Sequence, residues 1–246
     1  MKTDDSIKIL LFTKDNEHYF PFINKLREEF TLKIIYPDQH PRIKDRHFKE
    51  FKQECSNFSA DILVSFYYNK VIQNTLLSQH PLSVNFHGSL LPDYAGSHTL
   101  NWQIINGENV SGVTIHELTS EIDGGKIFLQ KHFEIGFNED TNDVLKKGVK
   151  TSCEMWDLFV KKYRDNDLQA AEQDKKKSVF KCFKRSYKDG EITKSMTPDE
   201  IYNLSRALPP PWPRPYYTEN KKKVILPYPF SIMDAKRLHT RIKNKS

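Results

Sequence analysis

Apolar residues along this chain fall into two rhythms. Ile7 to Phe12 is an almost unbroken apolar run, the pattern of a parallel strand covered on both faces. Tyr19 to Phe30 repeats its apolar positions (Phe20, Phe22, Ile23, Leu26, Phe30) at helical spacing. Leu32 to Tyr36 returns to a strand, residues 37–47 form a polar loop, and a charged helix runs on to about Cys55. Ile62 to Phe66 predicts a third strand, Val71 to Ser78 a helix, and Leu82 to Phe86 a fourth strand. A short helix over Thr99 to Asn106, closed by Gly107, is followed by strands at Ser111 to Leu118 and Lys126 to Phe133. A long helix from Asn142 to about Tyr163 carries a buried stripe that includes Val144, Val149, Met155, Trp156, Phe159 and Val160. This alternation of strands and helices predicts an α/β fold with a doubly wound, mostly parallel sheet. Ligands of such sheets bind beyond the C-terminal ends of the strands.

After Leu168 the pattern changes. A polar, Lys-rich stretch runs to Phe180, and seven of the 13 prolines lie between Pro209 and Pro229. Residues 1–168 are read as the catalytic domain. Residues 169–246 are read as a small β-rich appendage of short strands and turns, ending in a hairpin and a tail. Within it, Thr197 as N-cap and Pro198 in the first turn predict a helix to Arg206.

Composition narrows the class. The mean hydropathy is −0.67, and no apolar run approaches the roughly 20 residues that span a bilayer. The N-terminal segment has acids ahead of a short apolar run and reads as a first strand, not a signal peptide. Three dispersed cysteines (Cys55, Cys153, Cys182) suggest neither a disulfide framework nor a metal site, so a reducing cytoplasm is expected. The net charge of +6 is unevenly spread. Residues 1–145 hold 14 Lys and Arg against 20 Asp and Glu, and residues 146–246 hold 24 against 12. The basic half reads either as an attractor of an anionic partner or as a solvated Lys-rich surface.

The candidate chemistry sits between Leu82 and Gly125. Asn85 and His87 share one face of a strand, because strand side chains repeat every two residues. Asp123 follows the next strand, in a turn before Gly124 and Gly125. An amide N–H stabilises an oxyanion, a histidine accepts a proton near neutral pH, and a carboxylate orients the imidazole. These groups suit transfer of an acyl group to an amine. His116, on the second strand, reads equally as a satisfied core histidine and as a site residue.

In order, the motifs are Asn85-Phe86-His87, the Ser89 to Pro92 loop, the Gly112 to His116 strand and the Asp123 turn. Together they resemble the folate-dependent formyltransferases, the family of the glycinamide ribonucleotide and methionyl-tRNA enzymes. The resemblance implies a Rossmann-like formyltransferase fold and 10-formyltetrahydrofolate as donor. It implies Asn85, His87 and Asp123 as the catalytic trio, and no metal. It places the pterin against Ser89, Leu90, Leu91, His116, Leu118 and Ile122.

The C-terminal segments, with Ala60 to Ile72, look most like the amino-sugar N-formyltransferases, which act on nucleotide-linked amino sugars of bacterial surface polysaccharides such as O-antigen. Only 29 residues follow Tyr217, too few for the barrel of a methionyl-tRNA enzyme. The length favours a dTDP-sugar substrate. Tyr67, Lys70, Arg185, Trp212 and Tyr217 are then the candidates for the nucleotide sugar. Trp212 reads equally as packing, and Lys70 also as a solvated loop lysine. The family's loop often carries Arg-Gly where this chain has Ala95-Gly96, so charge on the substrate must be met elsewhere. A homodimer is expected through the appendage, with no membrane and no nucleic-acid partner. The alternatives are a methionyl-tRNA formyltransferase lacking its barrel, and a non-catalytic binder of folate or sugar nucleotide.

Overall fold

The computed structural model describes residues 7–40 and 48–244. Of the polar loop expected over 37–47, residues 41–47 lie outside the described residues, as do the first six residues and the last two of the basic tail.

The chain opens with strand β1 (Lys8–Thr13), helix α1 (Phe20–Glu29), β2 (Thr31–Ile35), α2 (Phe48–Asn57) and β3 (Ile62–Phe66). A four-residue turn of helix, α3 (Asn74–Leu77), then leads into β4 (Leu82–His87). The eight-residue helix expected at Val71 is only this single turn. Next come a two-residue strand β5 (Ala95–Gly96), α4 (Thr99–Ile105), and the pair β6 (Val110–Glu117) and β7 (Ile127–Glu134). The 24-residue α5 (Thr141–Arg164) follows, its start fixed by a capping box between Asp140 and Asp143.

The central sheet has the order β2-β1-β3-β4-β6-β7. Its first four strands are mutually parallel, and β6 and β7 run antiparallel to their neighbours. Alternate residues of β1 explain its apolar run. Ile9 and Leu11 face a core built with α1 and α5, where Phe22, Leu26, Trp156 and Phe159 pack. Leu10 and Phe12 face the other side, against Phe51 and Cys55 of α2 and Leu76 and Leu77 of α3. A sheet covered on both faces needs apolar residues at successive positions.

Residues 169–246 add a two-residue strand β8 (Lys181–Cys182), α6 (Pro198–Arg206), a hairpin of β9 (Tyr216–Glu219) and β10 (Lys222–Ile225), and α7 (Ile232–Lys243). The hairpin turn places Asn220 and Lys221 at φ of 48° and 62°, the left-handed pair of a two-residue turn. The expected tail is α7, whose capping box joins Ser231 and Asp234.

This region is bound to residues 1–168 at several points. A further core joins Leu100, Ile104 and Val144 to Ile201, Leu204, Leu208 and Leu238. The Ala207 carbonyl accepts from the Asn101 side chain at 2.6 Å and from the Thr141 hydroxyl at 2.8 Å. Strand β8 pairs in parallel with β5, and Ala171 bridges Ile127.

Candidate active site

The site forms where β4 and β6 lie side by side. Their register places Asn85 opposite His116 and His87 opposite Thr114. The Asn85 amide Nδ2 donates to His116 Nε2 at 3.0 Å. His116 holds that acceptor because its Nδ1 faces the Glu117 carbonyl at 2.8 Å, and a carbonyl only accepts. The proton of neutral His116 is therefore on Nδ1. The second N–H of Asn85 is left to meet negative charge. The two readings of His116 resolve into one: it is a buried histidine that orients the amide.

His87 is fixed by the same logic. Its Nε2 lies 2.9 Å from the Tyr94 carbonyl and must carry a proton to bond there. In the neutral ring the lone pair is then on Nδ1, which faces Asp123 Oδ1 at 3.5 Å. His116 Nε2 also lies 3.5 Å from that oxygen. A proton taken up at His87 Nδ1 lands between the imidazole and a carboxylate.

Asp123 is built to stay ionised. Burial by itself would raise its pKa. The charges of His87 and His116 and the N–H of Gly96, which donates to Oδ2 at 2.8 Å, outweigh burial and hold it at about 2. A carboxylate held so low is not an acid at neutral pH. Facing the lone pair on His87 Nδ1, it favours a proton arriving there and stabilises the positive charge that results. The backbone of Asp123 is left-handed, with φ of 50°.

The glycines after Asp123 serve the turn. An added Cβ at Gly125 would stand 2.1 Å from the Glu117 carbonyl oxygen, and one at Gly124 would meet the Glu121 side chain at 2.4 Å. Close approach of backbone occurs here, to the chain's own residues.

Three contributors escaped the sequence reading. Gln173 donates its side-chain amide to the carbonyls of Asp123 at 2.7 Å and Gly125 at 2.6 Å. Tyr94, at φ of 57°, offers its carbonyl to His87 while its hydroxyl donates to Glu108 at 2.7 Å. The Thr114 hydroxyl donates to the Ser89 carbonyl at 2.6 Å and accepts from Leu91 N–H, pinning the loop to β6. Gln173 and Thr114 join residues far apart in the chain, and Tyr94 reaches His87, seven residues away, through its backbone angle; neither leaves a local pattern. Replacing Gln173 by alanine is expected to lower kcat about 10- to 100-fold with a smaller change in KM, because the carboxylate loses its placement. The pH profile of kcat should move with it. An unchanged profile with reduced stability alone would make Gln173 structural only.

Residues 171–182 thus run as a strap across the site. Phe180 accepts from Tyr94 N–H, Val179 N–H donates to Asp93, and Lys175 pairs with Glu121. The Cys182 thiol in this strap is pushed up to about 12 by burial, with the Asp123 charge adding to the rise. It is not a thiolate nucleophile at neutral pH.

The residues expected to meet the pterin divide. Ser89 and Leu91 are buried, and the Ser89 hydroxyl donates to the Asp93 carbonyl, so both shape the loop from within. Leu90 and Leu118 are half-buried, and Ile122 is 73% exposed beside Asp123. Leu118 packs against the core that holds Leu10 and Phe12, and Leu90 lies against Gly112 of β6.

Those expected to meet the nucleotide sugar also divide. Lys70 donates to the carbonyls of Pro37 and His40. The Tyr67 ring stacks on Tyr19, and its hydroxyl is buried without a hydrogen-bond partner. Tyr217 is buried in the C-terminal core. Arg185 and Trp212 come together around His98: the Arg185 N–H donates to His98 Nδ1 at 3.0 Å, and the Trp212 ring meets the His98 ring edge-on at 5.0 Å.

An amide, two imidazoles and a carboxylate thus meet at the strand ends of an α/β sheet, an arrangement suited to acyl-group transfer. The formyl transferase family matches residues 21–156. A bifunctional polymyxin resistance protein ArnA of Wigglesworthia glossinidia brevipalpis is 33% identical over 212 residues, which cover 85% of this chain and 31% of that protein. The chain therefore belongs to the formyl transferase family, and it spans about a third of that relative's length.

Solved structures share the fold. A 4-N formyltransferase from Francisella tularensis superposes with a TM-score of 0.68 at 22% identity, over 89% of this chain and 96% of that one. A methionyl-tRNA formyltransferase from Clostridium thermocellum gives 0.70 at 16%, over 88% and 90%. HypX from Aquifex aeolicus in complex with tetrahydrofolic acid gives 0.69 at 16%, over 90% and 37%. Among the described residues no helix is long and apolar enough to cross a membrane, and no cluster of His, Cys, Asp and Glu is fit to hold a metal ion.

Proposed function

We propose that the protein transfers a formyl group from 10-formyltetrahydrofolate to the amine of a nucleotide-linked amino sugar. A dTDP-linked 4-amino-4,6-dideoxyglucose or its 3-amino isomer is the favoured substrate, and synthesis of surface polysaccharide the favoured setting. The observation that carries the chemistry is the convergence of Asn85, His87, His116 and Asp123 within hydrogen-bonding and ion-pairing distance. Two things support the sugar. One is the likeness to the polymyxin resistance protein, which extends over 85% of this chain. The other is the Francisella 4-N formyltransferase, which shares the fold nearly end to end.

Leu90, Leu118 and Ile122 would hold the donor's pterin, and the donor supplies the formyl carbon. The residues of the chain do the rest. The free N–H of Asn85 donates to the charge that grows on the formyl oxygen; removing one such donor costs roughly 3 kcal/mol of barrier. His87 Nδ1 takes the proton from the attacking amine as the new carbon–nitrogen bond forms, and the Asp123 carboxylate holds the resulting imidazolium. Collapse of the tetrahedral adduct then breaks the bond between the formyl carbon and the donor nitrogen, which takes the proton back from His87 and leaves as tetrahydrofolate.

A second reading keeps a specific support: the strongly basic half from residue 146 onward fits a tRNA acceptor. The test separates the two. The purified protein is incubated with 10-formyltetrahydrofolate and either nucleotide-linked amino sugars (dTDP, UDP and GDP series) or aminoacylated initiator tRNA, and products are weighed by mass spectrometry. A formylated sugar is expected. Formyl-methionyl-tRNA with no sugar product would replace the proposal by the second reading.

A further inference from the structure

A cationic cluster beside the trio has no part in the chemistry above. Strands β1, β3 and β4 are parallel, so Lys14, just past β1, emerges on the same sheet edge as His87 at the end of β4. Two residues beyond Gly96, which binds Asp123, His98 stands at the head of α4. Its Nδ1 accepts from the Arg185 backbone, so a neutral His98 carries its proton on Nε2. The Arg185 guanidinium lies over the Trp102 ring at 4.9 Å, with Nη1 buried and without a hydrogen-bond partner.

These charges are left without a direct partner carboxylate among the described residues. Among the described residues, Lys14, Lys184 and Arg185 join no ion pair, although the surface elsewhere is laced with them. The acid that acts on Arg185 is Asp189, whose carboxylate is held by the Ser186 N–H. His98 is held low by burial and then by the charges of Arg185, Lys14 and Lys184. Trp212 closes the cluster on the side of the Pro-rich loop. Concentrated positive charge, a planar guanidinium and an aromatic wall suit a phosphate ester that carries a flat base. Lys70, the other lysine on this edge, already donates to two carbonyls.

We propose that Lys14, His98 and Arg185, with Lys184 at the rim, form the subsite for the diphosphate of the nucleotide-linked substrate, walled by Trp212. The inference rests on the nucleotide-sugar reading given above.

The test is titration calorimetry of the full chain with dTDP and with UDP. Arg185→Met keeps the aliphatic stem over Trp102 and removes the charge; Lys14→Met does the same at β1. Each variant is expected to weaken binding about tenfold or more, as loss of a charged hydrogen bond does, while Lys70→Met leaves it unchanged. Melting curves and near-ultraviolet circular dichroism confirm that the variants are folded. For an Arg185→Ala variant, added guanidinium should restore part of the affinity. Wild-type binding that survives in Arg185→Met and Lys14→Met, or that is lost only in Lys70→Met, would overturn the subsite and leave the sugar-nucleotide reading standing. Failure of the wild type to bind either nucleotide, with methionyl-tRNA formylated, would overturn both.

Discussion

With asparagine in place of Asp123, kcat is expected to fall about 10²- to 10⁴-fold, the range over which positioned acid–base groups act, while the protein stays folded at neutral pH. Asparagine keeps the shape and the contact with Gly96 N–H but removes the charge that receives a proton at His87 Nδ1. The same substitution has a signature in stability. The carboxyl is depressed from its ordinary value of 3.8 to about 2. A group depressed on folding stabilises the native state above its unfolded pKa and loses that contribution as pH falls through the folded one. One pH unit corresponds to about 1.4 kcal/mol, so ionised Asp123 contributes on the order of 2 kcal/mol. Equilibrium unfolding of the two proteins should therefore differ most above pH 4 and converge toward pH 2. Curves separated by a constant amount across that range would mean that the charge of Asp123 is not what stabilises the site.

Alanine at Gly96 is expected to damage both stability and catalysis. The residue has φ of 114°, where a side chain is strained at a cost of about 1–3 kcal/mol. Its added Cβ would lie 2.0 Å from the Cys182 carbonyl oxygen and 3.0 Å from the carbonyl carbon. Both are backbone atoms of the paired strand β8, so no rotamer relieves the overlap. The strands must part, and the Gly96 N–H moves away from Asp123. A fall in melting temperature with a loss of kcat of about 100-fold is expected, as for other small misplacements of a catalytic group. A variant with native melting and native rate would show that the β5–β8 pairing is dispensable to the site.

Much of the scaffold was legible because its signals are local. Ile62 to Phe66 is a strand with the predicted bounds, and Thr197 with Pro198 starts α6 where cap chemistry requires. Asn85 and His87 share a face because β4 is a strand, and period two follows from that alone. Helix α7 carries its own cap signal, Ser231 followed three residues later by Asp234, but lies in a segment whose prolines and lysines read as a tail. The supports of the site were not legible. Gln173 reaches Asp123 across 50 residues, and the Tyr94 carbonyl reaches His87 by virtue of a backbone angle. Neither is a property of residue type or spacing. Lys70 looked available for a phosphate because its partners are main-chain carbonyls, which no sequence pattern marks.

The strap also sets an order of events. Asn85, His87 and Asp123 are all translated before residue 124, yet the contacts that hold Asp123 and the loop come from Gln173, Phe180 and Cys182. On the ribosome the sheet can form first, as N-terminal segments generally do. The strap contacts to this site form only when some 60 further residues have been made and have returned across the sheet edge. A nascent chain therefore carries Asn85, His87 and Asp123 for an interval before the strap that braces them exists.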